Sequence, residues 1–325
     1  RQMCIRDRDR SMDTIYDVII IGSGPAGYTA ALYCSRANLK TLLLEGFETG
    51  GALMQTTDVE NFPGFTEGIL GPDLMMNMRS QAEQFGAVLE MDEATRLDLS
   101  GDIKKVWCMD DLYQGKSVIL ATGSKARTLG IEGEEEYSGR GVSYCATCDG
   151  AFFDDKNVVV IGGGDSAMEE ALFLTKFANK VTIVNRSNNY RASQIMLERA
   201  QSHEKIEFIN NYKPYKIYGE NGKVTYIDLE GAITRDIKPF ATDAVFVAIG
   251  HDPRNSLFKD SIILDDHGYV LTHNNGTQTN LDGVFAAGDL ADPRYQQAIT
   301  AAGSGCKAAL DVEEYLNNFP LENLS

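Results

Sequence analysis

Short runs of consecutive apolar residues, each closing on glycine, punctuate this chain, and apolar positions at helical spacing lie between them. Tyr16-Asp-Val-Ile-Ile-Ile-Gly22 is nearly all apolar, as a strand buried on both faces of a parallel sheet should be. It predicts a strand and a glycine turn, then a helix over Ala26 to Ala37 and a second strand, Thr41-Leu-Leu-Leu-Glu45. The same grammar returns at Asn157-Val-Val-Val-Ile-Gly162, with a helix over Ser166 to Ala178 and the strand Lys180-Val-Thr-Ile-Val-Asn185. Two further buried strands, Val118 to Gly123 and Ala244 to Gly250, bracket this second unit, and Gly283-Val-Phe-Ala-Ala-Gly-Asp289 follows near the C-terminus. Gly250-His-Asp-Pro253 reads as a turn or linker. The simplest partition inserts the middle section, as a domain, into the first.

Each glycine turn has the form of a dinucleotide fingerprint: Gly22-Ser23-Gly24-Pro25-Ala26-Gly27 and Gly162-Gly163-Gly164-Asp165-Ser166-Ala167. Glycines there allow a tight turn and close backbone approach, and the helix N-terminus then faces a pyrophosphate. Both runs follow predicted strands and open predicted helices, the context that lends such a match weight. Glu45 stands 23 residues after Gly22, the expected place for an acid that binds a ribose hydroxyl, and Asn185 stands 23 residues after Gly162. An acid in one unit and a neutral amide in the other predict two different nucleotides.

At 325 residues the chain suits two domains, each able to bury a core without disulfide staples. Six cysteines are spread over its length and only Cys145 and Cys148 lie close together, which favours a reducing, cytoplasmic setting over a secreted scaffold. The net charge of -17 argues against a nucleic-acid partner, and no apolar run approaches the ~20 residues of a membrane span. Residues 1–10 have no apolar core and do not read as a signal peptide. We expect residues 1–11 to be a non-native or disordered leader and the start to lie near Met12.

Cys145-Ala-Thr-Cys148 admits three readings: half a zinc site, a static disulfide or a redox dithiol. Tetrahedral zinc needs four ligands, and Cys4, Cys34, Cys108 and Cys306 are isolated, so no metal is expected. Asp149 directly follows Cys148. Burial would raise its pKa and suit it to general acid or base work in thiol exchange, although a turn aspartate before Gly150 is the plain alternative. After Asn185, Arg186 and Arg191 offer two cations where an adenosine ribose should lie, and arginine's planar fork suits a 2′-phosphate. That favours NADPH, the plain alternative being solvated surface arginines.

These residues together resemble the low-molecular-weight thioredoxin reductases from Tyr16 through Leu316. The resemblance rests on Gly22 to Ala31, Thr57-Asp-Val-Glu-Asn61-Phe-Pro-Gly64, Cys145-Ala-Thr-Cys-Asp-Gly150, Gly162 to Ala171, Arg191-Ala-Ser193 and Gly283 to Asp289. It implies an α/β fold of two Rossmann-like, three-layer ββα domains. FAD would be bound by the first, which is split by an inserted NADPH domain carrying the dithiol. The boundaries expected are 12–128 and 257–325 for the FAD domain and 129–256 for the insert. Glu45, Gly51, Asn61, Ala121-Thr122-Gly123, Gly288-Asp289 and Gln296-Gln297-Ala298 would then contact FAD. Cys148 would face the flavin, Cys145 would attack the partner disulfide, and Asp149 would move the proton.

Two places depart from that pattern. The family's His-Arg-Arg before the 2′-phosphate loop is Asn185-Arg186-Ser187, and its Arg-Gln-Ala near the flavin is Gln296-Gln297-Ala298. Each loses a positive charge. We expect no dimerisation domain like that of glutathione reductase after Leu316 and no extra N-terminal domains like those of peroxiredoxin reductases. The expectation is a homodimeric flavoenzyme passing electrons from NADPH through FAD and Cys145–Cys148 to thioredoxin or a thioredoxin-like protein, with hinges at 124–130 and 251–254. The competing readings are a flavin-dependent dithiol oxidase, a thioredoxin reductase fed by another donor such as ferredoxin, and a non-catalytic flavin protein.

Overall fold

The computed structural model describes residues 14–55 and 58–319. The expected leader, the start near Met12, and Thr57 of the Thr57–Gly64 run lie outside the described residues. The chain forms two compact units, one built from the segments up to Lys125 and from Asp252 onward, the other from Ala126–His251.

The first part of unit 1 runs β1 (Ile15–Ile21), α1 (Pro25–Arg36), β2 (Thr41–Leu44), β3 (Asp58–Val59), β4 (Ile69–Leu70), α2 (Gly71–Gln84), β5 (Val88–Glu90), β6 (Arg96–Asp98), β7 (Lys104–Cys108) and β8 (Asp111–Leu120). β9 (Ser124–Ala126) leads out. Unit 2 holds β10 (Val142–Ser143), α3 (Ala146–Asp149), β11 (Asn157–Ile161), α4 (Asp165–Leu174), β12 (Lys180–Asn185), α5 (Gln194–Gln201), β13 (Ile206–Asn210), β14 (Tyr212–Glu220), β15 (Lys223–Gly231), β16 (Ile237–Ala241) and β17 (Ala244–Val247). β18 (His251–Pro253) leads back, and β19 (Val284–Ala286) and α6 (Ala298–Asn317) complete unit 1.

The unit 1 sheet runs β5-β2-β1-β8-β7-β6, with β19 also on β8. β1 is parallel to β2 and β8, and β7 is antiparallel to β8. One edge of β8 is divided: residues 111–115 pair with β7, and 118–120 pair with the returning β19. The apolar runs follow from burial on both faces. Val18 and Ile20 face the core shared with α1, α2 and α6, while Ile19 and Ile21 face Val106, Tyr113, Phe258 and Val270. Burying each such aliphatic side chain contributes roughly 1.5–3 kcal/mol.

Unit 2 repeats the plan. Its parallel sheet, β10-β17-β11-β12-β13, buries Val158, Val160 and Ile183 under α4 and α5. The opposite face, with Val159, Ile161 and Val245, meets the antiparallel β14-β15-β16 meander through Ile217, Ile227 and Leu229. Unit 2 therefore stacks helices, a parallel sheet and a β layer, whereas unit 1 covers the second face of its seven-stranded sheet with β7, the first half of β8 and apolar residues of the 257–290 segment.

Several elements differ from the sequence reading. α4 ends at Leu174 rather than Ala178, and β8 begins at Asp111, well before Val118, because its amphipathic first half pairs with β7. The segment read as a linker at Gly250–Pro253 contains β18, which pairs with β9. The unit boundaries fall at 125/126 and 251/252, whereas the sequence reading puts them at 128/129 and 256/257.

Candidate nucleotide and dithiol sites

In unit 1 the turn after β1 is held by contact with the end of β8. Gly22 has φ +111, and a Cβ there would stand 2.2 Å from the Ala121 carbonyl oxygen. Gly27 sits so close to that turn that its Cβ would lie 1.8 Å from Gly22 O. Gly24 caps α1 with no side-chain cap and Pro25 begins it, so the first backbone N–H groups of a 12-residue helix are left for an anion. A Cβ at Gly24 would meet nothing within 4 Å. The cradle is therefore shaped as the pyrophosphate of a dinucleotide requires.

Ser23 ties the surrounding loop together. Its Oγ donates to the Glu45 carbonyl at 2.8 Å and accepts the Gly50 N–H at 3.0 Å. Gly51 in turn backs onto Gly24, where a Cβ would approach Gly24 Cα at 3.3 Å. Glu45 itself is turned inward with its side chain wholly buried, accepting from Tyr28 Oη at 2.7 Å and from Arg79 Nε and Nη2 at 2.8 and 3.2 Å. The acid expected at the ribose thus already takes three donated hydrogens, and burial together with this bond raises the Tyr28 phenol. Nothing at Tyr28 or Arg79 in the sequence announces them as its partners.

The C-terminal segment closes on the same place. A Cβ on Gly288 would come 2.8 Å from Ala26 Cβ, and one on Gly305 of α6 would come 2.2 Å from Ala26 O. Asp289 follows in a single 3-10 turn, and burial pushes its carboxyl up to about 7, with Asp292 adding to the shift. A half-buried acid with so raised a carboxyl seeks a hydroxyl or amide partner. Asn61 Nδ2 reaches Gln297 Oε1 at 3.4 Å, and Gln297 forms a capping box with Thr300 at the start of α6, which Ala298 begins. Thr122 Oγ1 donates to Arg254 O at 2.6 Å, next to Gly123 at the end of β8. The residues expected at FAD, from Gly22 to Ala298, form this chain of neighbours within unit 1.

In unit 2, Gly162 has φ +153 and would bring a Cβ 2.3 Å from Ala248 O. Gly164 caps α4, Asp165 and Ser166 open it, and Asp165 Oδ1 accepts the Ser193 N–H at 2.6 Å. Asn185 lies against Gly163 and donates to Ser187 O and Asn189 O at 2.9 and 3.1 Å. This folds the following loop, which returns to Gly163 through the Arg191 and Ala192 N–H groups at 2.8 and 3.1 Å. Arg186 and Arg191 are both exposed. The loop thus presents two cations beside the helix start.

The same unit carries the dithiol. Cys145 and Cys148 are joined as a disulfide, with Cys145 capping the four-residue α3 and its Sγ accepting the Cys148 N–H at 3.2 Å. Ser143 Oγ donates to Asp149 Oδ2 at 2.5 Å and accepts the Cys145 N–H at 3.2 Å. Burial raises the Asp149 carboxyl above the ordinary range, and the Ser143 bond works against that. Tyr144 Oη is fixed on Glu134, whose carboxylate also takes the Leu129 and Gly130 N–H groups. Ala146 packs in one core with Ala167 and Ala171 of α4, so the dithiol rests on the fingerprint helix. Ser143 and Glu134 escaped the sequence reading because no spacing marks a serine or glutamate as a tether. Glu170 of α4 is half-buried; desolvation pushes its carboxyl up to about 8, and its buried Oε2 has no hydrogen-bond partner.

No helix among the described residues is long and apolar enough to cross a membrane. The pyridine nucleotide-disulphide oxidoreductase family matches residues 16–305. The thioredoxin reductase of Mycolicibacterium smegmatis is 56% identical over 303 residues, covering 93% of this chain and 97% of that protein. The bifunctional thioredoxin reductase/thioredoxin of Mycobacterium leprae is 54% identical over 305 residues, 94% of this chain and 66% of its own length. Among solved structures, thioredoxin reductase from Streptococcus pyogenes superposes with a TM-score of 0.89 at 42% identity, covering 94% of this chain and 99% of that one.

Proposed function

Starting from the chain's membership of the pyridine nucleotide-disulphide oxidoreductases, as a thioredoxin-disulfide reductase working with flavin and nicotinamide cofactors, we propose the finer assignment that unit 1 holds FAD and unit 2 reads NADPH. The observation that carries it is the pairing of a bonded Cys145–Cys148, beside a half-buried Asp149, with a glycine cradle in each unit. FAD is supported by the dinucleotide-type glycine turn before α1, on which the closing segment at Gly288–Asp289 packs. NADPH is supported by Arg186 and Arg191 on a loop that Asn185 folds without adding negative charge. The free thiols Cys34, Cys108 and Cys306 suit a reducing, cytoplasmic compartment. The homodimer rests on the resemblance alone.

Held at the unit 1 cradle, a flavin would supply the two-electron chemistry that links a nicotinamide hydride to the disulfide. One hydride equivalent and one proton convert Cys145–Cys148 to two thiols. Asp149, steadied by Ser143, keeps its proton to a higher pH than an ordinary carboxylate and supplies it to a departing sulfur. The Cys148 N–H directed at Cys145 Sγ favours negative charge on that sulfur, the form in which a thiol attacks. Cys145 then opens the thioredoxin disulfide to a mixed disulfide, and Cys148 displaces the reduced thioredoxin and restores the starting bond.

The test is to mix the protein with NADPH or NADH and oxidised thioredoxin while following flavin colour and thiol release. Cys145→Ser should keep NADPH-driven flavin bleaching and a long-wavelength absorbance from Cys148 thiolate, yet release no thioredoxin thiols. Cys148→Ser should lose that absorbance and trap thioredoxin on Cys145. The reverse pattern overturns the roles, and thioredoxin reduction by both variants overturns the dithiol mechanism.

A further inference from the structure

Nine non-glycine residues among those described have positive φ, and six of them are Asn or Asp, which tolerate that backbone; Gln296, at φ +48, does not belong to that class. A glutamine held in the left-handed region needs its surroundings to over-determine it. Two groups do so here. Asp292 Oδ2 accepts the Gln296 N–H at 3.1 Å, while its Oδ1 takes the Arg294 and Tyr295 N–H groups at 3.0 and 2.8 Å. The Gln296 side chain donates through Nε2 to Tyr269 Oη at 3.0 Å.

Tyr269 is only 6% exposed, and its phenol lies within electrostatic reach of Asp289. On the other side of Gln296 stands Gln297, which caps α6 and meets Asn61. The left-handed residue therefore sets the angle at which the chain passes from the Asp289 turn into the helix that closes on α1.

We propose that the Tyr269–Gln296 hydrogen bond is a positioning device for the flavin. It locks Gln296 in its left-handed conformation and so places the turn from Asp292 to Gln297 against the cradle. Tyr269 acts through Gln296 and is a positioning residue, not a catalytic one. The inference rests on the reading of unit 1 as the FAD site.

The experiment measures the FAD dissociation constant of the flavin-stripped protein by quenching of free FAD fluorescence, with the absorption band of the bound flavin as a second readout. The variants are Tyr269→Phe, Gln296→Gly and the double variant. Tyr269→Phe is expected to weaken FAD about fivefold, the size of one lost neutral hydrogen bond. In the Gln296→Gly background the same change should have no further effect, because glycine adopts that φ without the tyrosine's help. No loss in Tyr269→Phe overturns the proposal, as does a loss that persists in full beside Gln296→Gly, which would mean Tyr269 acts through packing alone. A wild-type protein that takes up no FAD overturns the reading of unit 1 itself, an outcome distinct from any variant effect.

Discussion

In unit 1 the third fingerprint position is Gly27, where a Cβ would stand 1.8 Å from Gly22 O; in unit 2 it is Ala167, wholly buried with its methyl in place. On the far side of α1 in unit 1, α6 crosses so closely that Gly305 leaves no room for a Cβ beside Ala26 O. α4 instead packs with α3 and α5, which come from its own contiguous segment. The ends of the second strands differ in the same spirit. Glu45 spends its carboxylate on the interior, holding Tyr28 and Arg79, whereas Asn185 spends its amide on a loop and leaves two arginines facing outward. One plan thus makes a clamped, two-segment cradle in one unit and an open, cationic one in the other.

Exchanging the third positions breaks this contrast with the largest effect. Gly27→Ala should cost about 3 kcal/mol or more and yield protein without flavin, since backbone must move to admit the methyl. Ala167→Gly should cost about 1 kcal/mol and leave the flavin bound. Denaturant midpoints and flavin content check both, and equal losses would show that the two helices are under the same constraint.

A second test asks whether proton transfer belongs to unit 2 alone. Asp149→Asn should lower thioredoxin reduction by roughly 10²–10⁴-fold while NADPH still bleaches the flavin at its ordinary rate. Loss of both reactions together would place the aspartate in the fold rather than the chemistry.

The third concerns the unpartnered Glu170. With its carboxyl raised to about 8, the folded protein holds a proton that the unfolded chain releases at lower pH. The stability this confers is present below the ordinary carboxylate range and is lost as pH rises through about 8. Glu170→Gln should therefore melt at nearly the same temperature near neutral and mildly alkaline pH, where the wild type declines. A parallel decline in the variant would exonerate Glu170.

The smallest effect expected is at the outer loop. Arg191→Ala should raise the KM for NADPH several-fold and leave NADH use nearly unchanged, because an exposed cation near a phosphate contributes about 1 kcal/mol. Equal losses with both cofactors would show that it does not read the 2′-phosphate.

What could be foreseen from residues alone followed burial. β1, β2, β11 and β12 lie within a residue of their predicted bounds because strands covered on both faces must be continuously apolar. β14 to β16, which have one solvent-facing side, and the first half of β8 carried no such signal. The dithiol and both glycine turns were legible because spacing is their chemistry. Ser143, Arg79 and Tyr269 were not, since each acts through a contact distant in sequence or through a hydroxyl with no motif around it. The left-handed Gln296 was equally hidden, as glutamine gives no hint of that conformation.

The division of β8 between β7 and the returning β19 has a consequence for how the protein is made. Residues 126–251 emerge from the ribosome with every strand of unit 2 present, so that unit can complete itself while synthesis continues. Unit 1 begins earlier yet finishes later: the upper half of β8 keeps an open edge, and Ala26 has no helix behind it, until β19 and α6 have been translated. The first half-site to be written is the last to be assembled, and a nascent chain halted before Val284 carries an exposed strand edge where the finished molecule has a closed cradle.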